Sequence, residues 1–157
     1  IRPIRPSDEK ALQDFFYSHS MATVVSRYGF VKQTLSRDEA LKRTTIDENK
    51  NMVLVALDRG LAGRVIQGVA RYTLCEDSSI SAMAEVGIVL RDDLQGKGIG
   101  SRLLKKLVEV AKDQGIKVLE FSILNTNTEM IALFKSQFPK GSLSNQGDGT
   151  LTAIAEL

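Results

Sequence analysis

An α/β fold is predicted by three features of the sequence. From Asn51 onward, short runs rich in β-branched residues and leucine alternate with stretches whose apolar residues recur at helical spacing. Between one such run and the most regular helical stretch lies "LQGKGIGSRLL", Leu94 to Leu104, with three glycines at alternate positions. The size also fits: 157 residues, 43% hydrophobic and 25% charged, are the proportions of one domain with a sizeable core. A single domain over residues 1–157 is therefore expected.

The elements follow in order. Ile1 to Arg5 alternates apolar and basic residues and ends at Pro6, as a short strand entering a turn does. Ser7, with Asp8 and Glu9 behind it, reads as the N-cap of a helix running through Phe16. Ser36 and Glu39 have the spacing of a capping box, opening a second helix to about Ile46. The segment between them, "MATVVSRYGF" from Met21, fits helix or loop equally. "NMVLVALDRG" is a strand stopped by a turn at Asp58, Arg59 and Gly60; Val65 to Leu74 is a second strand pairing back on it. "MAEVGIVL", Met83 to Leu90, is apolar on both faces and belongs in the middle of a sheet. After the glycines, Ile99, Leu103, Leu104, Leu107, Val110 and Ala111 mark one face of a helix that Gly115 ends. Ile116 to Leu124 is a strand, "TNTEMIALFKSQF" a helix stopped by Pro139, and Leu151 to Leu157 a last strand after a polar, glycine-rich loop.

Composition narrows the function. A net charge of +2, spread along the chain, argues against a nucleic-acid partner. Cys75 is the only cysteine, so no internal disulfide forms; a reducing compartment, the cytoplasm, is expected, with Cys75 a buried strand residue. No apolar stretch approaches the roughly 18 residues of a membrane span, so no membrane association is expected. One histidine, His19, near a predicted helix end reads as capping or solvated, and no metal site is expected.

The glycines carry the chemistry. A helix leaves its first N–H groups unpaired and places partial positive charge there, so a strand, a glycine turn and a helix together make an anion site. Gly96, Gly98 and Gly100 would let backbone amides approach phosphate oxygens with no Cβ in the way. A diphosphate is the expected guest; a merely tight turn is the alternative. The spacing Gly-x-Gly-x-Gly, preceded by other strands and helices, departs from the dinucleotide fingerprint. Arg91 stands where a Walker loop needs its first glycine.

"QGKGIG", Gln95 to Gly100, following "AEVGIVLRDD", resembles the Gln/Arg-x-x-Gly-x-Gly/Ala signature of the GNAT acetyltransferase superfamily, and the element order over almost the whole chain is similar to that superfamily's plan. The resemblance implies the GNAT fold, a central mixed, mostly antiparallel sheet flanked by helices. It implies acetyl-CoA as cosubstrate and no metal, with the coenzyme A diphosphate on the amides of Gln95, Gly96, Lys97, Gly98, Ile99, Gly100 and Ser101, and the pantetheine arm along Ile88 and Val89. Such an arm bonds to a strand's main chain, a reason for Gly87 in this strand; a bulge is the other reason. Asn127 matches an asparagine near the coenzyme in that superfamily, and reads equally well as a helix N-cap.

An amine acceptor is protonated near neutral pH and attacks a thioester only when neutral, so a proton acceptor is needed. Glu85 shares a strand face with Gly87 and Val89, and a carboxylate among apolar strand neighbours is suited to taking a proton. From local chemistry alone Glu85 reads as a strand glutamate, solvated or paired with an arginine. The resemblance makes it the catalytic general base, because "AEVGIVL" is similar to the strand bearing the catalytic glutamate in protein-lysine acetyltransferases, with Gln95 ten residues on. Many small-molecule members carry a tyrosine acid in the last helix; here the nearby aromatic is Phe134, which leaves water to protonate the thiolate. "IRPIRPSDE", "SRYGF" and "GVARY" add a likeness to bacterial enzymes that acetylate a lysine of acyl-CoA synthetases. In that family the domain is often part of a longer chain, which an opening on Ile1 fits. The implied reaction is direct acetyl transfer in a ternary complex to a primary amine. The implied partner is a protein lysine, an acyl-CoA synthetase's included, or else a small amine; a homodimer is compatible with either, and a noncatalytic acyl-CoA sensor is the reading from another class.

Overall fold

The computed structural model describes residues 1–58, 64–76 and 82–157. The turn expected at Arg59 and Gly60 lies outside the described residues. The strands are β1 (Arg2–Pro3), β2 (Asn51–Asp58), β3 (Val65–Leu74), β4 (Met83–Leu90), β5 (Val118–Leu124), β6 (Ser142–Asn145) and β7 (Thr150–Glu156). The helices are α1 (Glu9–Tyr17), α2 (Met21–Tyr28), α3 (Arg37–Thr44), α4 (Ile99–Asp113) and α5 (Thr128–Gln137). One seven-stranded sheet runs in the order β1-β2-β3-β4-β5-β7-β6, antiparallel except for the parallel pair β4–β5. This is the expected mixed, mostly antiparallel sheet, with β4 fourth of seven.

Both faces of the sheet are covered, so strand side chains alternate between two cores. On one side Leu12, Phe15 and Phe16 of α1, Val24 of α2 and Ala40 of α3 pack on Val53, Val55 and Val69. On the other, Leu103, Leu104, Leu107 and Ala111 of α4, with Phe134 of α5, pack on Leu54, Ala70, Tyr72, Val86 and Phe121. The apolar spacing read after the glycines is the buried stripe of α4, and Gly115 has the left-handed φ of 78° that ends it.

Three local expectations are corrected, and one open segment is settled. Ser7 is not the cap of α1: Pro6–Asp8 form a 3-10 turn and Asp8 precedes the helix, its buried carboxylate accepting from Arg5 N at 2.8 Å and from both Arg2 amines at 2.7 and 2.8 Å. The open segment at Met21 is helix α2, capped by Ser20, which accepts from Thr23 N, and ended by left-handed Gly29. The polar loop after Pro139 contains the edge strand β6, whose side chains are mostly exposed and so give no apolar signal. Cys75 is half-buried, one residue beyond β3, and burial pushes its thiol pKa up.

Candidate active site

The site begins where the two central strands part. β4 and β5 pair only from Met83↔Val118 to Val86↔Phe121; past that point β5 keeps only its other neighbour, β7, while β4 runs on to Leu90 with no strand on this side among the described residues. The main-chain groups of Gly87–Leu90 that face the gap are therefore open to a ligand. A groove of about 650 Å³ lies over it, walled by Ala22, Thr23, Ser26 and Arg27 of α2, by Ile88, Val89 and Leu90, by the glycine turn, and by Asn127 to Leu133.

The glycine turn supplies the anion-binding end. Gly96 and Gly98 have φ of 72° and 79°, a region closed to most side chains, and Gly98 is the first cap residue of α4 with no side chain capping the helix. The first-turn amides of α4 thus stay available to a ligand. Gly100 serves packing instead: a Cβ there would stand 3.3 Å from Leu90 and 3.5 Å from Leu133. Gln95, Gly96, Gly98, Gly100 and Ser101 line the groove with Ile88, Val89 and Asn127. Lys97 is exposed and Ile99 packs against the core, so neither side chain faces the groove. Ser101 Oγ accepts from Gln137 Nε2 at 2.8 Å, tying the start of α4 to α5. Asn127 is an N-cap, accepting from Met130 N at 3.1 Å, and also lines the groove. These residues fit a coenzyme: a diphosphate-sized end rich in amides, then an open strand edge.

Glu85 lies beyond the far end. Its carboxylate is exposed, and its surroundings are cationic instead of the apolar ones expected. The register is the cause. Thr73 of β3 stands opposite Glu85 and Arg71 opposite Gly87, so all four share one face. Arg27 of α2 crosses above them: a Cβ on Gly87 would lie 2.8 Å from its Nη2, so Gly87 makes room for a guanidinium. The register runs unbroken through Gly87, which removes the bulge reading. Arg27, Tyr28, Arg43, Arg71, Thr73, Glu85 and Gly87 enclose a pocket of about 300 Å³. Arg27 also lines the coenzyme-sized groove and a third hollow over the β4–β5 gap, so the three are contiguous.

The Tyr28 ring organises these cations, with Arg27 at 5.6 Å, Arg43 at 5.5 Å and Lys32 at 6.0 Å from its centroid. Arg43 and Lys32 both pair with Glu39, at 2.9 and 3.1 Å, so one carboxylate is shared between two cations. Arg71 donates to Thr73 Oγ1 at 2.7 Å. Among the described residues neither Arg27 nor Arg71 lies within ion-pair distance of a carboxylate. Burial lowers the pKa of both guanidiniums, and the charge of Arg71 adds to the effect at Arg27. Sequence reading passed over this cluster although "SRYGF" and "GVARY" hold Arg27, Tyr28 and Arg71; the available signal was Arg71 and Thr73 on one face of a mostly apolar strand.

The remaining candidates lie apart from chemistry. Phe134 is fully buried against Phe121 and Phe138, so no α5 aromatic reaches the groove from that position. His19, expected to cap or be solvated, is half-buried edge-on to Phe15 at 4.4 Å, and burial lowers its pKa. Among the described residues no three metal-ligating side chains gather, and no helix is long and apolar enough to cross a membrane.

The Acetyltransferase (GNAT) family model matches residues 15–138, most of the chain, and the chain belongs to that family. It is similar to an acetyltransferase of Pseudomonas aeruginosa, 28% identical over 119 residues, 74% of this chain and 61% of that protein. It is also similar to the L-methionine sulfoximine/L-methionine sulfone acetyltransferase of Pseudomonas paraeruginosa, 36% identical over 84 residues, 53% of this chain and 47% of that protein. The chain thus spans less than two thirds of these curated relatives. Among solved structures, the GNAT domain of S. lividans PAT superposes with a TM-score of 0.87 at 24% identity, over 99% of this chain and 89% of that one. A phosphinothricin acetyltransferase of Sinorhizobium meliloti, solved with acetyl-CoA, superposes with a TM-score of 0.78 at 23% identity, over 99% of this chain and 86% of that one. These likenesses carry the fold: it is a GNAT acetyltransferase domain.

Proposed function

We propose that the domain transfers acetyl from acetyl-CoA directly to a primary amine, with Glu85 as general base. The observation that carries this is the contiguity of an uncapped helix start, an open strand edge and a pocket holding one carboxylate. In this reading the amides from Gln95 to Ser101 hold the diphosphate and the free edge of β4 at Ile88 and Val89 holds the pantetheine arm. Acetyl-CoA supplies the thioester carbonyl. Glu85 takes one proton of the acceptor ammonium, the neutral amine nitrogen bonds to the acetyl carbon as the C–S bond breaks, the nitrogen gives up its second proton to water, and the thiolate takes a proton from water.

Two acceptors are compatible with this chemistry. A protein lysine is supported by the sequence likeness to lysine-modifying members and by the exposed Met21, Phe30 and Val31 on and just after α2. A small amine is supported by the pocket beside Glu85, walled by Arg27, Tyr28 and Arg43, and by the small substrates named for the methionine sulfone and phosphinothricin enzymes. The test is release of coenzyme A from acetyl-CoA in the presence of free amino acids, lysine peptides or cell extract, for the native protein and Glu85→Gln. Transfer that falls about a hundredfold or more in the variant, with acetyl-CoA binding retained, is expected of a lost general base. Equal rates would remove Glu85 from the chemistry. Coenzyme binding without transfer to any acceptor would leave the sensor reading.

A further inference from the structure

We propose that the acceptor is a small amino acid, its carboxylate held by Arg27 and Arg71 and its amine turned to Glu85. This rests on the acetyl-transfer reading above and names the substrate class of the same site. The charge pattern of the pocket carries it. Of the cations gathered at Tyr28, Arg43 and Lys32 share the single carboxylate of Glu39. Arg27 and Arg71 are matched by no carboxylate within ion-pair reach among the described residues, yet both are held out of open solvent. Two guanidiniums side by side in a half-buried pocket repel each other, and Glu85, which lines the same pocket, offsets them only from beyond ion-pair reach, so a further anion entering between them would be stabilised.

The placement argues that the anion arrives with the acceptor. Arg71 faces Gly87 and Thr73 faces Glu85 across the same strand pair, so the cationic and carboxylate subsites are one residue-pair step apart on one sheet face. That step is about 7 Å along the strands. A zwitterion satisfies both subsites at once; a plain alkylamine leaves the arginines bare. Thr73 holds Arg71 in place and Tyr28 holds Arg27, so both guanidiniums are positioned before a ligand enters.

Two measurements test this. In the first, acetyl transfer is followed across free amino acids, their methyl esters, and lysine peptides with and without acidic neighbours, for the native protein, Arg71→Met and Arg71→Lys. At least one free amino acid should exceed its ester by about tenfold in kcat/KM, mostly through KM. That preference should collapse in Arg71→Met and return in part in Arg71→Lys. In the second, calorimetry measures binding of N-acetyl amino acids and their methyl esters to the protein with coenzyme A. An acid bound about tenfold tighter than its ester supports the subsite even if no turnover is found, in which case the acetyl-transfer reading fails alone. Acids and esters that bind and react alike overturn the inference while leaving acetyl transfer intact. Arg71-dependent transfer confined to peptides with acidic neighbours also overturns it, in favour of a protein acceptor.

Discussion

At Asp8 a single carboxylate joins the chain's first strand to its first helix. It is 2% exposed and accepts from both Arg2 amines and from Arg5 N, so its charge is retained by pairing, not by water. The Arg2 hydrogen bonds hold its carboxyl below the usual aspartate range. With the folded value depressed, the unfolded chain binds its proton first. The stabilisation is complete above the ordinary value near 3.9 and is lost as pH falls through the folded value. Asp8→Asn should therefore cost about 2 kcal/mol at neutral pH. In urea unfolding, the gap to the native protein should narrow steadily once pH drops below about 4. A gap constant down to the lowest pH would mean that the pair contributes packing and not charge. Asp8 was read from sequence as a first-turn acid, because its true partner, Arg2, becomes its neighbour only when β1 turns back at Pro6. The same rule separates the legible site residues from the missed ones. The glycines are marked by local spacing and Glu85 was singled out by the family resemblance, whereas Arg27 and Arg71 meet only because α2 crosses β4.

Among the elements, α2 is the one on which both halves of the site depend. Its sequence, with three β-branched residues in a row at Thr23 to Val25, has a low intrinsic helix propensity, so its ends help to decide it. Ser20 caps the start and Gly29 closes the end, donating to Val25 O at 2.8 Å. A third fastening comes from far along the chain: Asp92 accepts from Ser20 N at 2.8 Å and from Thr23 Oγ1 at 2.6 Å. Asp92 lies in the turn leading into the glycines, so the helix carrying Arg27 is anchored to the loop that opens the anion site. No sequence window contains both ends of that link, which is why α2 stayed ambiguous when read alone. Asp92→Ala should loosen α2 without unfolding the sheet, raising KM for acetyl-CoA and for the acceptor several-fold, roughly the worth of one charge-assisted cap. Amide exchange across Met21–Tyr28 should quicken while β2, β3 and β5 stay protected. A lower melting temperature with both KM values unchanged would show that the anchor serves stability alone.

The whole molecule is a sheet with a partial seam. β1 to β4 form one continuous antiparallel half and β5, β7 and β6 the other; four residue pairs of parallel strand join them, with α4 packed beneath. The alternation of strands and helices was legible because covered strands and amphipathic helices impose their periods on sequence. The seam was not, since nothing in "EVGIVL" marks where pairing with "VLEFSIL" stops. A ligand lying along Gly87–Leu90 would complete the seam, so its effect should be felt by the sheet as a whole and not only by the glycine turn. Acetyl-CoA at about a hundred times its Kd should add about 2.7 kcal/mol of stability, which for a chain this size is a rise in Tm of roughly 5–10 °C. The decisive measurement is amide exchange with and without acetyl-CoA. New protection is expected at the amides of Gly87–Leu90 that face the gap and in the first turn of α4. Stabilisation with protection confined to the first turn of α4 would mean that the coenzyme is gripped by its phosphates alone. The β4–β5 seam would then be left to the acceptor.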